Sequence, residues 1–208
     1  MNPVLSYSHQ EALIQYPVKY NLGDGVIVLY PLTLDSVVGL NRALREAFFS
    51  SLYDPSLRGS EAEDYYYNLL KATDSMDFEK GEGREFFFSS PALLVTFVRY
   101  LCRFSEDWPE SRLMSTLFPY GVVEEEGLIR VMEMKTAVTR QVPDPPRLDI
   151  QPKVPKYTST PEETEARIYK MFAEKFGFRY EEVQKLTEYQ IYWYSYLYAE
   201  EREHIEEM

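Results

Sequence analysis

Apolar residues recur at helical spacing through most of the chain, and this pattern predicts a mostly helical protein. The exception lies near the N-terminus, where two short strand-like runs, residues 18–20 and 26–30, flank the turn-forming residues 21–25. We expect a β-hairpin there. After Pro31, Thr33 is suited to cap a helix over residues 34–53. The predicted core stripe of that helix consists of Val37, Leu40, Leu44, Phe48 and Leu52.

Further helices are expected in the same N-terminal body. One spans residues 61–73, and its predicted apolar side consists of Tyr65, Tyr66, Leu69 and Leu70. Residues 74–84, which include Gly81 and Gly83, are predicted to form a polar loop. Ser90 as the cap and Pro91 at the first helical position begin a helix to about residue 104, which is expected at the centre of the core. Helices over residues 109–118 and 122–138 complete the body.

A proline-rich segment, residues 141–160, divides the chain. Its sequence is QVPDPPRLDIQPKVPKYTST, and its five prolines prevent a continuous helix and interrupt regular sheet pairing. Segments of this composition favour an extended, semi-rigid geometry. We therefore expect a body over residues 1–140, a linker or arm over residues 141–160, and a second module over residues 161–208.

The C-terminal module carries clear signals for the ends of its helices. Residues 160–163 form a predicted capping box with Pro161 at the first helical position, and Gly177 is a candidate left-handed helix end. A short helix over residues 180–186 follows, and residues 187–190 form a second capping box before the last helix. The predicted fold class is therefore α+β and mostly helical, with an N-terminal β-hairpin, a helical body, a proline-rich linker and a C-terminal helical hairpin-like module.

The charge of the chain narrows the range of its partners. The formal net charge is −12, from 34 acidic and 22 basic residues. Because affinity for nucleic acid comes largely from Lys and Arg, nucleic-acid binding is disfavoured, and binding to an anionic membrane surface is disfavoured for the same reason. The apolar residues 86–104 include Arg99 and Arg103, which favour a buried helix over a membrane span.

The number of cysteines indicates the cellular compartment in which the protein is expected. Cys102 is the single cysteine, so a disulfide framework is excluded, and its apolar neighbours place it in the predicted core. Residues 1–10 lack the pattern of a signal peptide. We expect a cytoplasmic protein.

No catalytic constellation or cofactor motif is present in the sequence. The two histidines, His9 and His204, lie near the chain ends, which leaves residues 10–203 without a histidine for a nucleophilic triad or a zinc site. We predict no catalytic residues, no metal ligands and no cofactor. Carboxylates such as Asp74, Asp77 and residues 124–126 leave a paired-carboxylate hydrolase as an enzymatic alternative, although solvated loops and helix ends are the simpler explanation.

The last helix carries an unusual load of aromatic residues. Tyr189, Tyr192, Trp193 and Tyr196 follow helical spacing and would share one face, whereas Tyr194 and Tyr198 point elsewhere. Two interpretations remain open. The module packs back on the body so that both faces are buried, or the aromatics anchor a partner protein or a second copy of the chain. In the second case all six residues are candidate partner-binding residues.

Two segments resemble the tail assembly chaperones of long-tailed bacteriophages. In that family a short hairpin leads into a phrase similar to YPLTL at residues 30–34, and then into a helix. The second segment is FAEKFGF at residues 172–178, followed by EEV at residues 181–183 and LT at residues 186–187. It resembles the small helical module of such phage proteins, in which a glycine-ended helix leads into a threonine-capped one. The middle of the chain carries no part of the resemblance.

The resemblance implies a function in binding rather than in catalysis. Such a protein holds the long helical tape-measure protein soluble in the host cytoplasm and recruits tail-tube subunits, which then displace it. Two other classes remain as alternatives: a structural virion protein, such as a tail, neck or baseplate subunit, and a cytosolic adaptor unrelated to phage.

Overall fold

The computed structural model describes residues 15–139, 141 and 161–196. It confirms the predicted mostly helical α+β fold class, because a two-stranded antiparallel hairpin is followed by helices. Residues 142–160 of the predicted linker lie outside the described residues. The hairpin strands are β1 (Val18–Asn21) and β2 (Val26–Leu29). The helices are α1 (Leu34–Leu52), α2 (Ser60–Asp74), α3 (Gly81–Ser89), α4 (Pro91–Leu101), α5 (Glu110–Leu117), α6 (Glu125–Thr139), α7 (Pro161–Phe176), α8 (Tyr180–Gln184) and α9 (residues 188–196).

The hairpin forms because its turn residues favour a tight turn and its strand residues alternate between buried and exposed positions. Gly23 has a positive φ of 95°, and its N–H donates to the side-chain oxygen of Asn21 at 2.8 Å. Ile27 and Leu29 are fully buried while Val26 is exposed, as expected for a strand with one face on the core. The indole N–H of Trp108 donates to the carbonyl of Val26 at 3.1 Å and fixes the hairpin to the helical body.

Helix α1 contacts two separate cores, and this corrects its predicted stripe. Val37 is only half-buried and Leu52 is 46% exposed, whereas Val38 is buried. At 100° per residue, a stripe through residues 40, 44 and 48 lies on a different side of the helix from residues 34 and 38. The first set joins the main core and the second set joins the core of the C-terminal module. A helix with two buried sides cannot be described by one stripe.

The apolar stretch at residues 86–104 divides into two helices rather than forming one. The Ser90 hydroxyl accepts a hydrogen bond from the N–H of Leu93 at 3.4 Å and begins α4, as predicted. Helix α4 ends at Leu101, earlier than expected, because Arg103 and Phe104 adopt positive φ values of 51° and 54°. Leu94, Val95 and Val98 of α4 are fully buried, which confirms this helix as the centre of the main core.

Two other local predictions were wrong. Residues 74–84 are not entirely a loop, because α3 begins at Gly81 within that range; Gly83 is buried so close to the backbone of Asp77 that a side chain would not fit. In α2, Leu69 is buried, but Leu70 is 52% exposed. The buried residues of α2 are Ala62, Leu69 and Thr73, a narrower stripe on the predicted side, with Tyr66 half-buried and Tyr65 exposed.

Within the described residues, no helix combines the length and the apolarity that crossing a membrane requires.

Cys102 is 2% exposed in the main core, as predicted, and burial raises the pKa of its thiol. Helix α5 lies within its predicted range, whereas α6 begins at Glu125, three residues later than predicted. Gly121, between the two helices, has a positive φ of 71°.

Gly127 in the first turn of α6 provides a test of this packing. A methyl group there would lie 2.2 Å from the carbonyl oxygen of Leu117 and 2.6 Å from the Phe118 ring. In an open helix, Gly→Ala stabilises by about 1 kcal/mol. Here we expect Gly127→Ala to lower the free energy of unfolding by about 1–3 kcal/mol through overpacking. Urea denaturation measures the change, and Ile129→Ala, at a site 49% exposed on the same helix, is the control. A stabilised Gly127→Ala variant would contradict the packing described.

Candidate partner-binding site

The C-terminal module is joined to the body by a short backbone pairing between two helix starts. Thr33 precedes α1 and Thr187 precedes α9, and the two residues form an antiparallel bridge. The N–H of Leu34 donates to the carbonyl of Leu186 at 2.9 Å, and the N–H of Glu188 donates to the carbonyl of Leu32 at 3.2 Å. A helix-capping residue has an extended backbone, so two caps placed side by side can pair as strands do. We refer to this pairing as the seam.

The capping box predicted at residues 187–190 is present and fixes the direction of α9. The N–H of Thr187 donates to the side-chain oxygen of Gln190 at 2.9 Å, and the N–H of Gln190 donates to the Thr187 hydroxyl at 3.2 Å. Gly177 ends α7 with a φ of 70°, also as predicted. The other predicted box begins at Thr160, which lies outside the described residues.

The module shares its core with α1. Phe172 of α7 is fully buried and Val183 of α8 is 1% exposed, and both cluster with Leu34 and Val38 of the body. Tyr194 of α9 joins this cluster, with its ring centroid 5.4 Å from that of Phe172. Burial raises the pKa of the Tyr194 hydroxyl. Tyr194 therefore packs inside the module, and one side of α9 is a core side.

The remaining candidate residues on α9 lie on other sides of the helix. Trp193 has Tyr189 and Tyr196 as aromatic neighbours, with ring centroids at 6.4 Å and 5.7 Å. The indole N–H of Trp193 is buried and has no hydrogen-bond acceptor within the described part of the chain. Tyr192 is 51% exposed. Tyr198, the sixth candidate, lies outside the described residues.

An apolar pocket of about 280 Å³ lies beside this aromatic surface, between the body and α9. Its volume suits one or two side chains rather than a drug-sized ligand. Tyr192 lies at its edge, half in solvent. The pocket is lined mainly by apolar groups from four parts of the fold: Pro31 and Leu32 before α1, Phe97 and Leu101 of α4, Val138 of α6, and Tyr189 and Tyr192 of α9. Sequence reasoning identified only the tyrosines, since nothing in the pattern brings the other segments together.

Glu188 stands at the first position of α9, where this pocket meets a second groove. Glu188 is exposed to solvent, and it lines both clefts. Burial raises the pKa of Glu188, the carboxylate of Glu79 raises it further, and Lys135 opposes the shift. These surroundings therefore disfavour the ionised form of the Glu188 carboxyl group.

Within residues 15–139, 141 and 161–196, no group of three or more Cys, His, Asp or Glu side chains is placed to hold a metal ion. Both histidines lie outside the described residues. The site offers one half-exposed aromatic ring, an apolar pocket and nearby carboxylates. Comparison with protein families, with characterised proteins and with solved structures finds no match for the chain.

The raised pKa of Glu188 predicts how its removal changes stability with pH. The folded chain holds this proton more tightly than the unfolded chain does, so the cost of ionising Glu188 grows as pH rises from the unfolded carboxyl pKa, about 4.3, through the higher folded pKa. Glu188→Gln removes that cost. We expect the variant to be more stable than the natural chain at neutral pH and equally stable at acidic pH below the unfolded pKa.

Denaturation at a series of pH values measures this difference. Glu181→Gln, at an exposed carboxylate in the first turn of α8, is the matched control and should show no such pH-dependent gain. A gain for Glu188→Gln that is the same at every pH would show that the ionisation of Glu188 is not its cause.

Proposed function

We propose that this chain is a non-catalytic protein-binding factor of phage tail assembly, which holds the helical tape-measure protein soluble and recruits tail-tube subunits. The observation that carries the binding proposal is the half-exposed ring of Tyr192 at the edge of a ready-formed apolar pocket. Interfaces are anchored by aromatic residues beside pockets that receive an apolar side chain of the partner. A helix with an apolar stripe would present such side chains at i, i+3 and i+4.

The phage context rests on the two segments that resemble tail assembly chaperones. These segments are distant in sequence, but they meet at the seam, where Leu34 and Leu186 are joined by a backbone hydrogen bond. The pocket opens next to that junction, since Leu32 and Glu188 line it. Pro31 and Leu32, which belong to the first of these segments, therefore line the pocket to which we assign partner binding.

A holding function also suits the charge of the chain. A net charge of −12 keeps a complex with an apolar client soluble and opposes unspecific association between copies. Contacts that are weak individually and repeated along a long client allow both coating and later release.

The proposal is tested by producing this chain together with the products of its neighbouring genes, followed by purification, mass spectrometry and sizing. We expect a long helical protein to be recovered in complex with this chain and to remain soluble only in its presence. Recovery of the chain in finished particles at a fixed stoichiometry would instead make it a structural virion protein. A chain that elutes as a monomer, with no partner, would contradict the binding proposal.

Tyr192→Ser tests the assigned surface directly. Because truncation of a central aromatic anchor costs about 2 kcal/mol or more, we expect at least about 30-fold weaker binding of the co-purified partner. The thermal stability should change little, since the ring is half in solvent. Tyr120→Ser, at a tyrosine 78% exposed between α5 and α6, is the control and should bind normally. Equal binding by the natural chain and by Tyr192→Ser would remove this surface from the proposal.

A further inference from the structure

A second groove, of about 470 Å³, opens on the other side of the seam. It exists only because the module docks on the body, since α1, the loop after α2, α7 and α9 each contribute to it. Its floor is apolar and includes Leu34, Val38, Met76, Phe78, Ile168 and Ile191. Its rim carries the carboxylates of Asp74, Asp77, Glu79, Glu165 and Glu188. We refer to it as the acidic groove.

The negative charge of the acidic groove is poorly balanced by the residues that line it. Arg45 is the one cationic residue among the described lining residues, against five carboxylates, and its guanidinium donates to the backbone carbonyls of Thr73 and Met76. The guanidinium therefore serves to hold the end of α2 and the loop that follows it. A cleft with one dominant sign of charge and low-dielectric walls concentrates the electrostatic potential inside it.

Two of the rim carboxylates, Asp77 and Glu165, make polar contacts that do little to neutralise their negative charge. Lys80 approaches Asp77 at 3.8 Å, but both side chains are more than half exposed, so solvent screens the pair. Glu165 accepts a hydrogen bond from the Tyr180 hydroxyl at 2.7 Å, which adds no positive charge. Burial is the main cause of the raised pKa of Glu188, and the nearby carboxylate of Glu79 raises this pKa further, which agrees with negative charge at this rim.

From this geometry we propose that the acidic groove receives Lys and Arg side chains of the partner protein. These side chains have an apolar stem and a charged head, and they pack the stem on apolar surface while the head stays at a polar rim. The floor matches the stem and the rim matches the head. Charge complementarity of this kind sets the register of an interface and speeds association.

The inference rests on the proposed function, because it names the chemistry of the partner for the same binding region. The two pockets share Glu188, so one partner segment crossing the seam would place an apolar side chain beside Tyr192 and a basic side chain over the acidic groove. The chain thus selects an amphipathic helix with both apolar and basic positions, and it discriminates against an acidic helix by repulsion.

The experiment uses a labelled helical peptide of leucine and lysine, with the leucines on one face, and a matched peptide in which glutamate replaces lysine. Binding to the full chain is measured by fluorescence anisotropy at physiological ionic strength, where the Debye length is about 8 Å and distant charges are screened. We compare the natural chain with two double variants that remove the same number of charges. Glu79→Gln with Glu165→Gln changes the groove, and Glu61→Gln with Glu125→Gln changes exposed helix starts elsewhere.

We expect the lysine peptide to bind and the glutamate peptide not to bind. The groove variant should bind the lysine peptide about tenfold more weakly, since two charge pairs are lost, and the control variant should change affinity less than about twofold. Equal losses in both variants would mean that only the net charge attracts the peptide, and would overturn the assignment of the groove. Unchanged affinity in the groove variant would overturn it as well.

Zero-length carbodiimide cross-linking locates the peptide independently, because it joins lysine amines to nearby carboxylates. Cross-links at Asp74, Glu79, Glu165 or Glu188 are expected, and cross-links found only at Glu61 and Glu125 would overturn the inference. The co-purified partner separates this inference from the proposed function. If the partner is lost with Tyr192→Ser but retained at full affinity by the groove variant, the binding function stands and the groove assignment fails. If no partner is recovered although the peptide binds in the groove, the proposed function fails.

Discussion

The architecture of both clefts to which we assign binding depends on the seam. Two helix caps, Thr33 and Thr187, face each other, and their extended backbones allow two hydrogen bonds that cross from body to module. The strength of this contact comes from the apolar cluster beside it, in which Phe172 is fully buried against α1. Such burial supplies most of the free energy, while the hydrogen bonds fix the register. The direction of α9, and therefore the position of its aromatic residues, follows from this register.

Helix α1 has to satisfy two cores at once, and this explains its composition. Leu40, Leu44 and Phe48 face the main core around α4, while Leu34 and Val38 face the module. Because α1 packs against both the body and the module, a displacement of the module would be transmitted to the body through this helix. The same arrangement leaves clefts on both sides of the seam, since two convex helical units in contact leave space at the edges of that contact.

The two clefts differ in character, and the difference gives the site its proposed selectivity. One is lined mainly by apolar groups and ends at the exposed ring of Tyr192. The other has an apolar floor and a carboxylate rim that includes Glu79 and Glu165. A surface that offers aromatic contact on one side and negative charge on the other distinguishes a basic amphipathic helix from a merely apolar one. This is the property that a holding protein requires if it is to bind one client among many apolar surfaces.

By itself the sequence determined the elements whose causes are local. The hairpin, the Ser90 cap, the left-handed Gly177 and the capping box at Thr187 were all predictable, because each depends on residues within one turn. Only the tertiary structure decided that α1 is buried on two sides, that Tyr194 belongs to a core while Tyr192 meets solvent, and that Glu79 and Glu188 share a groove. Burial and charge proximity depend on contacts between residues far apart in the chain, and helical periodicity carries no information about which distant partner covers a given face.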